Sequence, residues 1–268
     1  MLVAALVHAL WNTWLKVSGD RLTALGVMVT GWALLAVVAL PFVGMPSPQA
    51  AGLLAVSALV HTCYALTLIT AYRYADLNVI YAISRGMGPL LIATVSVVLL
   101  DEHIGVRGWA GVGLIAAGVA GLGFARRGRA VAGVALAVVV GCLIAAYTVL
   151  DGLGARAGGS AHAYANGLFL VSAVALLAVA LAVQRRQFFV LARPMWFKGL
   201  TAGVLAAAGY WIVIWAMSRA PLGLVSATRE ASVAIAALLA YAILRERVRW
   251  LPLLMVFSGL VLIKVAGP

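Results

Sequence analysis

The stretch from Leu22 to Tyr72 contains no Asp, Glu, Lys or Arg. An uncharged run of that length accommodates two membrane helices, since each needs about 20 apolar residues to cross a hydrocarbon core of about 30 Å. The patch Pro41–Gln49 divides the run, because proline and glycine punctuate helices. The rest of the chain follows suit. It is 65% hydrophobic and 10% charged, with mean hydropathy +1.12, far from the roughly 25% charged of a soluble domain. The pattern predicts an all-α polytopic membrane protein. Its ten transmembrane helices are expected near 1–16, 23–44, 51–72, 77–100, 107–125, 130–151, 158–183, 197–218, 221–244 and 249–267. Connections between them are short, and no hydrophilic stretch is large enough for an extramembrane domain.

The second constraint is a repeat. Arg85 and Arg229 sit inside apolar spans 144 positions apart, and Glu102 and Glu246 lie at the ends of the same spans at the same offset. Trp109 and Gly118 match Trp250 and Gly259 at a shift of 141. A fixed shift over a 268-residue chain means that the second half repeats the first. The expected halves are 1–127 and 128–268, five spans each. An odd number of spans inverts the second half in the bilayer, the arrangement in which secondary transporters place a substrate site at the repeat interface.

Net charge is +12, but the basic residues lie in short loops beside helices, where they orient spans; a nucleic-acid role is excluded on that ground. Thirteen Lys and Arg fall in alternate loops on one side, from Lys16 to Arg249, against Arg107, Arg156, Arg219 and Lys264 on the other. The positive-inside rule then places both termini outside. Met1 runs straight into apolar residues without a basic leader, so no cleavable signal is expected. Cys63 and Cys142 both fall in apolar spans and suggest no disulfide framework.

A charge near the bilayer centre costs at least about 2.5–3.5 kcal/mol, so Arg85 and Arg229 point to a polar site. Either they tether helices as structural ion pairs or they present planar donor forks to a substrate carboxylate or phosphonate. Gly86-Met87-Gly88-Pro89 weakens the helix beside Arg85. Glu230 either pairs with Arg85 or carries a coupling proton. Further candidates for the site are His8, Trp11 and Asn12 on the first span, His61 and Tyr64 on the third, and Tyr81 and Ser84 beside Arg85. Tyr147 and Asp151 close the sixth span, Tyr210 and Trp211 lie in the eighth, and Ser226 in the ninth. Asp76, Asp101, Glu102 and Glu246 read as boundary residues. The four histidines are scattered without zinc spacing, and no Gly-rich Lys-Ser/Thr phosphate loop occurs. No metal, no cofactor and no catalytic residue is expected.

Several of these motifs together resemble the drug/metabolite transporter superfamily, in its ten-helix EamA-like group. They are His8-Ala9-Leu10-Trp11-Asn12 followed by Lys16, Ala75-Asp76 leading into Arg85-Gly86 and Pro89, and Ala220-Pro221-Leu222-Gly223 leading into Arg229-Glu230-Ala231-Ser232. The resemblance spans essentially the whole chain. It implies a transporter in the cell membrane (the bacterial inner membrane) acting as a monomer or homodimer. It also implies cytoplasmic termini, contrary to the loop charges.

These features lead to an expected function: secondary transport of a small organic metabolite, driven by its own gradient or by protons. The formal surplus of one positive charge over Arg85, Arg229 and Glu230 favours a ligand with an anionic or zwitterionic group. Flipping of a lipid-linked substrate and export of drugs are the alternatives. An intramembrane enzyme would need a nucleophile–base or metal arrangement that the sequence does not display.

Overall fold

The computed structural model describes residues 18–74, 77–123, 131–157, 159–235, 238 and 249–266. The expected first span and most of the second half of the ninth lie outside them. Among the described residues the chain is helices and turns without strands. In chain order these are α1 (Arg21–Val43), α2 (Pro48–Ala71), α3 (Leu77–Leu100), α4 (Val106–Gly123), α5 (Val131–Arg156), α6 (Ala161–Gln184) and α7 (Gln187–Ala192). A 3-10 turn, Arg193–Met195, leads to α8 (Trp196–Met217), followed by α9 (Leu222–Arg229) and α10 (Trp250–Ala266). Six segments are long and apolar enough to cross a membrane, and α4 and α10 are shorter apolar helices. Large apolar side chains such as Phe42, Val98, Leu99, Val174 and Val261 stand exposed on these helices. Backbone polar groups satisfied within helices and apolar outward faces are what a lipid solvent demands.

Local chemistry sets the helix ends. Asp20 caps α1, accepting the Thr23 N–H at 2.7 Å. Ser160 caps α6 through the N–H groups of His162 and Ala163. Gly44 stops α1 at φ 72, after which Ser47 and Pro48 open α2. Proline at a first helical position forfeits no hydrogen bond.

The chain forms two compact units. One is drawn from Cys63–Val149 and Arg219–Pro268, the other from the chain up to Thr62 and from Leu150–Ser218. Each unit takes helices from both expected repeats. In the first unit, α4 packs on α10 and α3 on α9, the two helices of each pair starting about one expected repeat shift apart in sequence. Gly111 and Gly259 let α4 and α10 meet backbone to backbone: a Cβ on either would stand 2.8 or 2.6 Å from the other's carbonyl oxygen. Val112, Ile115 and Val119 of α4 interlock there with Leu253 and Val256 of α10. Without a hydrophobic drive between helices in lipid, such close backbone approach supplies the packing energy.

In the second unit, α1 packs against α6 and α8. A Cβ on Gly203 would overlap the Met28 carbonyl, so α1 and α8 also require a small residue at their crossing.

Two boundaries differ from the sequence expectation. The sixth span does not close at Asp151. Helix α5 continues to Arg156, placing Asp151 inside the helix and fully buried. Gly152 and Gly154 look like terminators, yet Gly154 is where the Tyr164 ring lies against α5. The ninth span is interrupted at Glu230, which adopts a turn (φ −69, ψ −7) between α9 and helical residues 231–235. Its counterpart α3, despite Pro89, runs on as one helix. The connection 185–196 also folds as α7, because Phe188 and Ala192 bury themselves against Val27 and Ala180.

Candidate functional site

The first unit holds a buried charge cluster. Arg85 comes from the middle of α3; Arg229 and Glu230 come from the end of α9 and the turn that follows. Arg85 donates from Nη1 to Glu230 Oε1 at 3.0 Å, and Arg229 Nε lies 3.6 Å from the same oxygen. All three side chains are nearly sealed, with exposures of 6%, 4% and 1%. Of the two roles the sequence left open for Glu230, the structure displays the pair with Arg85.

The turn at Glu230 makes this local geometry. Its N–H bonds to the Ala227 carbonyl, and its own carbonyl accepts the Val233 N–H, so the chain departs from the α pattern there. At Gly86, the matching position of the first half, a Cβ would stand 3.2 Å from the Ala116 carbonyl oxygen and 3.3 Å from the Ala120 methyl on α4, so a side chain there needs α4 to give by a few tenths of an ångström. The cluster's formal charge is two guanidinium groups against one carboxylate, a surplus of one positive.

Glu102, read from sequence as a boundary residue, belongs to the same neighbourhood. Its Oε2 accepts the Leu222 N–H at 2.7 Å. Pro221 provides no side-chain cap for α9, so a carboxylate from the end of α3 serves at the positive end of that helix dipole. The constant Arg–Glu offset singled Glu102 out in the sequence, but the cap itself was not foreseen. Asp76 and Glu246 lie outside the described residues.

The second unit holds a different polar centre, built around Asp151. Ser57 and Tyr164 donate to Oδ1 at 2.5 and 3.0 Å. Tyr210 donates to Oδ2 at 2.5 Å, and His61 Nε2 lies 3.0 Å from the same oxygen. The His61 and Tyr210 rings meet edge to face at 5.7 Å. Four helices therefore converge on one carboxylate: α2 with Ser57 and His61, α5 with Asp151 itself, α6 with Tyr164 and α8 with Tyr210.

Ser57 and Tyr164 were not foreseen. Ser57 is four residues before His61, hence on one helix face, and that spacing could have found it. Tyr164 had no such signal. Ser57, His61 and Asp151 meet, but Ser57 directs its proton to the carboxylate rather than to His61. That is not the nucleophile-to-base order of an acyl-transfer site.

The remaining expected residues disperse. Tyr64 and Tyr147 pack edge to face at 5.4 Å in the first unit. Ser84 turns back to the Ile80 carbonyl at 2.8 Å. Ser226 is fully buried on α9, its hydroxyl without a hydrogen-bond partner among the described residues. In the second unit, Trp211 donates to His162 Nδ1 at 2.9 Å and stacks tilted on Phe169. Tyr81 lies on α3 with its side chain outside the described residues, as are His8, Trp11 and Asn12 entirely. Cys63 and Cys142 are free thiols. Among the described residues, no three His, Cys, Asp or Glu gather as a metal-ligand group.

Comparison with known proteins sets these observations in a family. No curated protein matches the chain, whereas 28 chains of solved structures do. One of them is similar at a TM-score of 0.78 with 18% identity, over 98% of this chain and 97% of its own; at that identity the likeness is one of fold. The model of the Small Multidrug Resistance protein matches residues 36–115. The model of the EamA-like transporter family matches residues 131–265, half of the chain. With its apolar helices of membrane length, this is a multi-pass membrane protein, and it belongs to the EamA-like transporter family.

Proposed function

We propose that this protein is a secondary active transporter of a small organic metabolite carrying an anionic or zwitterionic group, such as an amino acid or organic anion. Substrate would bind where the two repeats meet, at α3 and α9, and be exchanged between the two sides by alternating access. The observation that carries this reading is the sealed Arg85–Glu230–Arg229 cluster with its surplus positive charge. A buried guanidinium offers donors in a fixed fork that matches a carboxylate or phosphonate. Intramembrane charges that face protein rather than lipid mark substrate pathways. The turn at Glu230 adds to this, since broken helices at membrane depth occur where transporters hold their solutes.

Export of drugs is the second reading. The match of residues 36–115 to the Small Multidrug Resistance protein favours it, because such solutes are commonly cationic or apolar. A thermal-shift screen of the purified protein separates the two, since a ligand that binds only the folded state raises its stability by mass action. Amino acids and organic anions should raise the melting temperature and lose that effect in Arg229→Ala. A shift produced only by lipophilic cations would replace the first reading with the second.

A further inference from the structure

We infer that the Asp151–His61 pair is a proton-binding site and that the proton it holds is the coupling ion of transport. The coupling half of this inference rests on the transport reading above; proton binding does not. Asp151 is 0% exposed and lies inside α5, in the last third of that helix. Of the groups bonded to it among the described residues, His61 alone can carry a positive charge. A buried carboxylate demands compensation by hydrogen bonds and by a cation, and the first demand is met in full. Ser57 and Tyr164 fill Oδ1, and Tyr210 and His61 fill Oδ2: four donors on the roughly four lone-pair sites of an ionised carboxylate. The second demand is met by one proton.

The donor arrangement lets that proton come and go without dismantling the centre. With His61 neutral and protonated on Nε2, the pair carries one negative charge. A proton taken from solution onto Nδ1 gives an imidazolium that keeps the same Nε2–H to Oδ2 bond, and the pair becomes neutral. Alternatively the proton sits on Oδ2, with Nε2 as acceptor. All four hydrogen bonds are retained in the first form, and in the second only the His61 bond reverses direction. His61 is the less sealed of the two, its side chain 10% exposed against 0% for Asp151, so exchange with solution runs through the imidazole.

The groups facing the pair among the described residues are Ser57 on α2, Tyr164 on α6 and Tyr210 on α8. On α5 itself, Tyr147 lies one turn before Asp151. Arg156 lies beyond it and is bonded to the Met217 carbonyl. Glu230, the other buried acid among the described residues, is already the counter-ion of Arg85 and Arg229, which leaves Asp151–His61 as the centre there whose charge a single proton decides.

Two measurements on the full-length protein test this. The chain has four aspartates and four histidines, so isotope-labelled aspartate read by infrared difference spectroscopy, with labelled histidine read by NMR, reports each directly. Between acid and alkaline buffer, one His61 signal should titrate together with a perturbation of the Asp151 carboxyl band. Asp151→Asn should remove the band and alter the His61 titration, and His61→Gln should remove the histidine signal. If neither wild-type signal responds to pH, the inference fails even if every variant misfolds.

The second measurement presents proteoliposomes with a labelled mixture of amino acids and organic anions under an imposed pH gradient. One coupled proton supports about a tenfold accumulation per pH unit. Wild type should accumulate label, while Asp151→Asn and His61→Gln should lose gradient-driven accumulation. Accumulation insensitive to the gradient, or unchanged in both variants, overturns the coupling role and leaves the transport reading intact. A titrating Asp151–His61 pair in a protein that moves none of the mixture sustains the proton site while overturning the solute class.

Discussion

At the scale of single residues, the account depends on what Arg85, Arg229 and Glu230 each do. Removing Arg85 leaves Glu230 buried without its closest counter-charge, so Arg85→Ala should cost about 3–5 kcal/mol of stability. Replacing both partners with apolar residues, as in Arg85→Met with Glu230→Leu, should recover most of that loss in thermal melts. Arg229→Ala should behave differently, weakening an anionic ligand by about 2–5 kcal/mol with a smaller change in melting temperature. Arg229→Lys should rescue little, because an ammonium cannot reproduce the guanidinium fork. Binding and melting measured on the same variants separate a tether from a ligand contact. The two arginines were legible in the sequence because charge inside an apolar span is rare. The pairing was not, since Arg85 and Glu230 lie 145 residues apart and only the fold brings them together.

At the scale of helices, the caps and close contacts are the testable joints. Glu102→Ala removes the cap of α9 and should cost about 0.5–2 kcal/mol, while Glu102→Gln keeps an acceptor and should cost less. Hydrogen exchange at the Leu222 amide reads this directly, with faster exchange expected in the Ala variant only.

Gly154 is where the Tyr164 ring meets α5, so Gly154→Val should push that ring off Asp151 and lower stability by about 1–3 kcal/mol. An unchanged melting temperature would contradict the packing described.

Asp20, outside the spans, supplies a pH dependence. Burial pushes its carboxyl up, but the Thr23 side chain, the Thr23 backbone N–H and Gln184 outweigh it and hold it below its usual value. A carboxyl lowered on folding stabilises above its unfolded value and loses that contribution as pH falls through the folded one. The α1 cap should therefore weaken under acid, below the ordinary aspartate range, and Asp20→Asn should flatten that part of the stability profile. Helix ends such as these were only partly visible beforehand. Proline and glycine marked the end of α1 correctly. At Gly154 such a cue carries no information, because a glycine that admits a ring looks in sequence like one that ends a helix. The interruption at Glu230 carried no proline or glycine cue at all.

At the scale of the whole molecule, the apolar runs revealed a polytopic helical protein, because lipid imposes a length and a composition on every span, while the 144-residue shift carries the expectation of repeated halves. What the sequence hid was grouping. Contact gathers helices from both halves into each unit, with α3 on α9 and α4 on α10 in one and α1 on α6 in the other, and periodicity says nothing about which apolar faces meet. The Asp151 centre was hidden for the same reason. His61, Asp151 and Tyr210 stood out singly on three helices, whereas Ser57 and Tyr164 are ordinary residues until the helices converge.

The most direct measurement is uptake of labelled amino acids and organic anions into proteoliposomes holding wild type, Arg229→Ala or Arg229→Lys, with each variant's fold checked by melting temperature. The account predicts saturable uptake of at least one such solute by wild type, and its collapse in both folded variants. Uptake undiminished in a folded Arg229→Ala protein would contradict it.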